Sequence, residues 1–480
     1  MKNKMKNKTR KRGGNVIASG GFGCIFEPSL ECKNKTQKIR KSGFVSKLML
    51  KKYAQKEYKE IQKYQKILET IPNSTDYFLV NGFTLCKNLS PLTESDLTNF
   101  NKKCKTLKKK DIDETNVNQS LEKLMSIQMP YGGIAVDDYI KNVKFQGKNM
   151  KELNASLLSL LKNGVLPMNE AGLYHGDIKD SNVLVDVNTK KMYTRLIDWG
   201  LSCYYTGDNT TEKKAPIPKE FTQRPFQFNL PFSIILFQKS FLKLYKSFLE
   251  NNPNPDYLKI RSFVMNYVLY VVDKKGPGHI KNINSIMKQF FKGELMNVEE
   301  KFKDDLIEFE YTFYFVFEYL SKILFQYTRE NEFQVMDYFE NVFLKNVDVW
   351  GFVMIYVSLT DFLFDLKEHR FLTTNEKKII KVVKEVYVIL IESSCEPVDV
   401  EKVVQKLKSL DPLFSSAKKE ITTKSSKTFN KTTKITSSTS EKSGSSGKSL
   451  DSKYKSKSKS KSKSKSKSKT KKHFFTNLFS

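Results

Sequence analysis

The chain has 480 residues, 39% of them hydrophobic, with 35 Phe and 22 Tyr, enough to bury the core of one large bilobal enzyme or of two to three domains. Its formal charge of +31 is concentrated at the ends: residues 1–14 carry seven Lys or Arg and no acid, and residues 418–480 carry nineteen Lys against three acids. About +8 is left for the body, which calls for no nucleic-acid partner there, and six cysteines without paired spacing and four His exclude an evident zinc site or disulfide framework and predict reduced thiols.

The basic leader, 1–14, has no apolar stretch behind it, so no signal peptide is expected. Apolar runs such as 232–237 and 263–272 fall short of a membrane span, and an intracellular, non-secreted protein without a transmembrane segment is expected, cytoplasmic or carried in a virion. Next comes a Gly-rich turn between two β-type runs, Ile17-Ala18-Ser19-Gly20-Gly21-Phe22-Gly23-Cys24-Ile25, where missing Cβ atoms let backbone amides approach phosphates. Phe44 to Met49 reads as a strand with one central Lys, Lys47. Tyr53 to Leu68 has helical periodicity and ends before Pro72; its acids are Glu57 and Glu60, and Glu60 is preferred as a core-facing partner because Tyr64 and Ile67 follow it at offsets of four and seven.

Tyr77 to Leu85 is a strand candidate, and Asn88 to Ser120 is polar without sustained periodicity, which predicts a surface insertion. Leu124 to Met129 reads as a further strand, running into Pro130-Tyr131-Gly132-Gly133. Leu153 to Leu173 is an apolar helical pattern that leads into His175-Gly176-Asp177-Ile178-Lys179-Asp180-Ser181-Asn182, and sixteen residues after Asn182 stands Asp198-Trp199-Gly200. Phosphoryl transfer needs a carboxylate beside the acceptor hydroxyl, a cation near the moving phosphoryl group, and oxygen ligands for the metal that neutralises the triphosphate. Asp177, Lys179, and the pair Asn182 and Asp198 supply these types, with the two ligand candidates at the ends of adjacent strand-like runs, Val183 to Val187 and Arg195 to Ile197.

Gln223-Arg224-Pro225-Phe226-Gln227-Phe228-Asn229-Leu230-Pro231 has no function readable from its residues. Ile234 to Leu344 is aromatic-rich at helical spacing. Asp348-Val349-Trp350-Gly351 lies in an apolar helix, and two amphipathic helices follow around Glu376 to Ile391 and Val398 to Leu410. From Ser415 the chain turns to Ser, Thr and Lys, with strict alternation over Lys455 to Thr470, and is expected to be disordered. The Lys471-Lys472-His473-Phe474-Phe475 end could dock on an anionic membrane, nucleic acid or another partner, or stay solvated.

From Ile17 to Gly200 these motifs resemble, in order and spacing, eukaryotic-type serine/threonine protein kinases, whose catalytic loop reads His-Arg-Asp with Lys two and Asn five places after the Asp, followed by Asp-Phe-Gly. The large insertions, divergent hinge and Lys/Asn-rich composition resemble the kinases of giant DNA viruses. The resemblance implies an α+β, bilobal fold: a β-rich lobe over 15–134 with an insertion at about 88–120, a helical lobe over 135–414 with a helical insertion at about 234–346, and the tail 415–480. It implies ATP and Mg²⁺, protein substrates, Ile17 to Ile25 as the nucleotide loop, Lys47 on the phosphates and paired with Glu60 or Glu57, and Met129, Pro130 and Gly132 at the adenine, although an ordinary strand and Gly turn explain the last three as well. Asp177 and Lys179 become catalytic, Asn182 and Asp198 the metal ligands, and Asp348 a brace for the catalytic loop, unless Trp350 simply marks a core helix.

The sequence departs from the family pattern at Gly176, which replaces Arg, at Trp199, which replaces Phe, and in lacking Ala-Pro-Glu. His-Gly-Asp also occurs in small-molecule kinases of the aminoglycoside and choline type, an alternative that Lys179, Gly200 and the Gly-rich loop oppose. A catalytically dead scaffold serving its basic tail is the third reading, opposed by the filled catalytic positions.

Overall fold

The computed structural model describes residues 15–414 apart from 20–22, 34–42, 144, 146, 188–190, 208–214, 277 and 368–369. The leader 1–14, the tail 415–480, and Gly20, Gly21 and Phe22 of the Gly-rich turn therefore lie outside the described residues.

A small antiparallel sheet comes first in the chain. It comprises β1 (Asn15–Ser19), β2 (Gly23–Glu27), β3 (Phe44–Leu50), β4 (Thr84–Cys86) and β5 (Leu124–Pro130), in the order β1-β2-β3-β5-β4. Lys47 stands opposite Ile25 on one side and Ile127 on the other. Because side chains alternate across a strand, Ile25, Lys47 and Ile127 share one face, while Cys24, Phe26 and Leu48 point to the other. Helix α1 (Lys51–Leu68) follows β3 without a loop, and its buried stripe is Ala54, Glu57, Ile61, Tyr64 and Leu68. This spacing of three, four, three and four keeps one line of side chains toward the sheet.

The opposite face is covered by the segment expected to be a polar surface insertion. Phe100, Leu107, Ile112 and Val117 pack with Phe26, Leu48 and Leu124 in a second hydrophobic core. Short helices of four residues, such as Glu94–Leu97 with its Thr93–Asp96 capping box, carry these side chains, and turns that short show no periodicity in sequence. Two disulfides tie the layer down: Cys24–Cys104 and Cys32–Cys86, with Cα separations of 5.2 and 5.8 Å. The expectation of reduced thiols fails for these four residues, and with it the cysteine argument for a reducing compartment. The strand expected over Tyr77 to Leu85 is also mostly absent: a helical turn, Ser74–Tyr77, and a single bridge from Phe78 to Leu196 precede the short β4, since Gly82 turns the chain at φ +76°.

The remainder is largely helical. β6 (Ile134–Ala135), β8 (Val183–Asp186) and β9 (Tyr193–Leu196) form a second small sheet, and β7 (Leu173–Tyr174) pairs with β10 (Cys203–Tyr204). A helical run from Gly147 to Glu170 leads toward β7, with a π-turn at Leu161–Val165 just ahead of Pro167, which has no N–H to donate back along the helix. Among the described residues one helical run, Val335–Lys367, is long and apolar enough to cross a membrane, longer than the apolar stretches noted from sequence, but 83% of its apolar window is buried inside the fold. Within it Leu344–Ile355 is buried at every position except Lys345. Trp350 packs edge-on against Phe232 and Tyr319, at centroid distances of 5.2 and 5.7 Å.

Candidate active site

Lys47 is 4% exposed and lies between two carboxylates, its Nζ 2.7 Å from Glu57 Oε1 and 2.8 Å from Asp198 Oδ1. Burial alone lowers a lysine pKa, but here the charges of Asp198 and Glu57 outweigh it and the value is raised. Asp198 is held below the usual carboxylate range, chiefly by Lys47, whereas burial pushes Glu57 up against the pull of the same lysine. The expected partner Glu60 does not reach the site. It lies 3.5 Å from Lys56 on the outer side of α1, because the buried stripe runs through 57, 61, 64 and 68 and not through 60, 64 and 67.

Asp177 is 6% exposed and surrounded by donors. Its Oδ2 accepts from Lys179 Nζ at 2.8 Å and from Asn182 Nδ2 at 3.0 Å, and its Oδ1 accepts from Asn229 Nδ2 at 2.8 Å. Asn182 also donates to the Asp177 carbonyl at 2.8 Å, which closes the loop on itself. The loop is braced from below: Asp348, 1% exposed, accepts the amides of His175 and Gly176, each at 2.8 Å, and Asn169 Nδ2 at 2.8 Å. Of the two alternatives for this helix the brace is therefore present, and Trp350 is in the core as well. Gly176 is at φ +65°, a conformation that a glycine adopts without strain.

Asn182 opens β8 and Asp198 follows β9; the Ile197 amide donates to the Asn182 carbonyl at 3.0 Å, so the two residues are neighbours across adjacent strand ends. Asp198 takes a left-handed conformation, φ 65° and ψ 67°. Trp199 is 1% exposed, with its ring edge-on to His175 at 5.0 Å and to Phe78 at 5.9 Å. Among the described residues no three His, Cys, Asp or Glu side chains gather as a ready-made metal site. The donor chemistry nonetheless suits Mg²⁺, which takes one or two protein oxygens and draws the rest from phosphates and water. Asn182 spends its Nδ2 on Asp177, which leaves Oδ1 as the atom that would face a metal, and one oxygen of Asp198 is engaged by Lys47.

In the Gly-rich turn, a bulge sets Ile17 and Ala18 together opposite Ile25, across the strand pair from Lys47. Ser19 ends β1 opposite Cys24. The Cys24 side chain does not join the site: it is fully buried on the far face of the sheet, in its disulfide. Met129 lies opposite Val45, two residues from Lys47, and Pro130 opposite Phe44. A Cβ on Gly132 would stand 2.8 Å from Leu184 Cδ1, two residues after Asn182, and 2.9 Å from Leu79 Cδ2, so the glycine lets the segment after β5 approach these side chains without moving them. Sequence reasoning missed Arg224 and Asn229, which come from the run that had no readable function; polar residues repeated among aromatics there were the available signal.

No family model matches the chain, and no curated protein does. Among solved structures it is similar to a crystal structure of a kinase domain, at 12% identity and a TM-score of 0.26, over 46% of this chain. The chain spans 57% of the length of that kinase domain.

Proposed function

We propose that the chain is an ATP-dependent phosphotransferase with a bilobal protein-kinase architecture, moving the γ-phosphoryl group of ATP to serine or threonine hydroxyls of protein substrates. The observation that carries this reading is the bridge from Lys47 to both Glu57 and Asp198, which draws β3, α1 and the end of β9 to one point beside the Asp177 loop. A lysine buried between two acids is a weak device for stability, since apolar side chains of similar volume often serve as well or better.

In this reading Lys47 holds the α- and β-phosphates and Glu57 fixes its ammonium. Asp177 orients the acceptor hydroxyl and takes its proton as the oxygen bonds to the γ-phosphorus and the bond to the ADP oxygen breaks; Lys179, 2.8 Å from Asp177, offsets charge on the moving phosphoryl group. Asn182 and Asp198 hold Mg²⁺, which when bound neutralises the triphosphate. Ile17, Ala18 and Ile25 enclose the base with Met129, Pro130 and Gly132, and Ser19 and Gly23 stand at the strand ends next to the phosphates. A Lys two residues after the Asp favours hydroxyls of Ser and Thr by the family pattern.

Purified protein with labelled ATP and Mg²⁺, offered a protein mixture in one arm and amino alcohols and aminoglycosides in the other, tests this. Label on Ser and Thr of proteins is the expected result. Label confined to small molecules turns the reading to the second class of kinase, and no transfer in either arm, or equal transfer by Asp177→Asn, overturns it.

A further inference from the structure

The run from Gln223 to Pro231 packs directly on the Asp177 loop. Arg224 and Asn229 are 5% and 1% exposed, more deeply buried than a surface docking segment requires. Asn229 Nδ2 donates to Asp177 Oδ1 at 2.8 Å and to the Ile178 carbonyl at 3.2 Å, and Arg224 Nη2 lies 3.8 Å from the same Oδ1. Asp177 is thus gripped from two directions. Oδ2 is held by Lys179 and Asn182 from its own loop, and Oδ1 by residues some fifty positions downstream.

Arg224 is itself anchored. Its Nε donates to Gln227 Oε1 at 2.8 Å, and its carbonyl accepts from Gln238 Nε2 at 2.7 Å. Nearby, Trp350 Nε1 donates to the Phe228 carbonyl at 3.1 Å, which ties the run to the same buried helix that carries Asp348. The guanidinium also lies beside position 176, within contact distance of a Cβ placed there. A Cβ on Gly176 would meet the Leu201 carbonyl at 3.2 Å, the Phe221 ring at 3.5 Å and Arg224 Nη1 at 3.8 Å. Among the described residues Nη1 has no hydrogen-bond partner, so Arg224 is kept there at a desolvation cost that its hydrogen bonds to Gln227 do not fully offset.

We propose that Arg224 and Asn229 are positioning residues for Asp177, Arg224 delivering a cation from the downstream segment to Asp177 beside Gly176. The proposal rests on the phosphotransferase reading and deepens it. Because Gln227 holds the guanidinium and Gln238 holds the Arg224 backbone, its placement does not wait for a phosphate on the loop between Asp198 and Arg224. Replacement of Thr206, Thr210 and Thr211 by Ala therefore leaves turnover within about twofold, while Ser202, 4% exposed and donating to the His175 carbonyl at 3.1 Å, is structural.

The test measures kcat, KM for ATP and thermal midpoint in full-length protein for Arg224→Gln, Arg224→Lys and Asn229→Ala. A positioning role predicts that Arg224→Gln and Asn229→Ala each lower kcat by roughly a hundredfold, the scale of a slightly misplaced catalytic group, with KM for ATP within about twofold and Arg224→Lys recovering at least about tenfold of the loss. A folded Arg224→Gln or Asn229→Ala with wild-type kcat overturns the proposal. So does a loss in Arg224→Lys equal to that in Arg224→Gln, or a loss that follows the thermal midpoint across the set. Should Arg224→Gln fail to fold, Arg224→Lys and Asn229→Ala decide by the same criteria. Wild-type protein that transfers phosphoryl groups to no acceptor, water included, strikes down the phosphotransferase reading, which separates that failure from this one.

Discussion

Asp348 and Gly176 are 172 residues apart in sequence, yet the carboxylate of one accepts the amide of the other at 2.8 Å. The second carboxylate oxygen takes the His175 amide, so a single buried side chain sets two successive peptide planes immediately before Asp177. Asp348→Asn turns an N–H₂ group toward one of those amides. The expected outcome is a loss of about 3 kcal/mol in stability, from one or two unsatisfied buried donors, together with a fall in kcat; urea denaturation and a turnover assay on the same preparation check it.

Glu57 and Glu60 are separated by less than one helical turn, and their substitutions are expected to diverge. Glu57→Gln removes the charge that steadies Lys47 and should reduce kcat/KM for ATP by roughly tenfold or more. Glu60→Gln, whose carboxylate pairs with the exposed Lys56, should stay within about twofold. Lys47→Ala should abolish transfer, and Asp177→Asn should abolish transfer while still binding ATP, which equilibrium binding of a nucleotide analogue resolves.

Reduction of the two disulfides should destabilise the sheet region. Closing 80 residues between Cys24 and Cys104 restricts the unfolded chain by about 4 kcal/mol on the entropic model, an upper figure when a second bond lies inside the first. Cys24 also sits in β2 next to Gly23, so Cys24→Ser with Cys104→Ser should raise KM for ATP more than it lowers kcat. Thermal melts with and without reductant, and kinetics of the double variant, give the two readings.

His279 stacks on the Phe228 ring at 5.7 Å, near Asp177, Lys179 and Arg224. Burial pushes its pKa below the ordinary 6.5, the Lys179 and Arg224 charges add to this, and Asp177 opposes it. A histidine whose pKa is depressed by folding contributes stability that is complete above the unfolded value and is lost as pH falls through the folded one. The melting temperature should therefore decline below about pH 6.5, and His279→Gln should flatten that decline while leaving the neutral-pH value nearly unchanged.

The tail from 415 to 480 lies outside the described residues, and its expected behaviour rests on charge. Each Lys near an anionic bilayer adds on the order of 1 kcal/mol, and Phe474, Phe475, Leu478 and Phe479 add apolar contact. Truncation after Phe414 should leave phosphoryl transfer unchanged and weaken cosedimentation with acidic vesicles or nucleic acid, most clearly at low salt. Equal binding by both forms would remove the tail from any targeting role.

What could be read from the sequence was what local spacing encodes. Asp177, Lys179 and Asn182 sit at offsets that one tight loop ahead of β8 brings together, and Lys47 on its strand meets Asp198 at 2.8 Å. Glu60 was preferred over Glu57 because two glutamates three residues apart fit nearly the same helical phase, and the choice depends on whether Ile67 or Leu68 points inward. The disulfides span 54 and 80 residues, a separation at which no spacing rule operates. Arg224 and Asn229 act through contacts with residues about fifty positions away, and the inner layer over 88–120 is built from helical turns too short to show a period.

The two disulfides are nested, Cys32–Cys86 inside Cys24–Cys104, so β3, α1 and most of the intervening chain are enclosed by two concentric covalent rings. Lys47 and Glu57 lie within both rings and Asp198 lies outside them. A single backbone cut between Cys32 and Cys86 cannot release either fragment: the two pieces remain fastened on both sides of the break, and the half of the bridge that carries Lys47 stays attached to the half that carries Asp198. The protein can be nicked between Cys32 and Cys86 and remain one covalent molecule, its pieces separating only when a protease and a reductant act together.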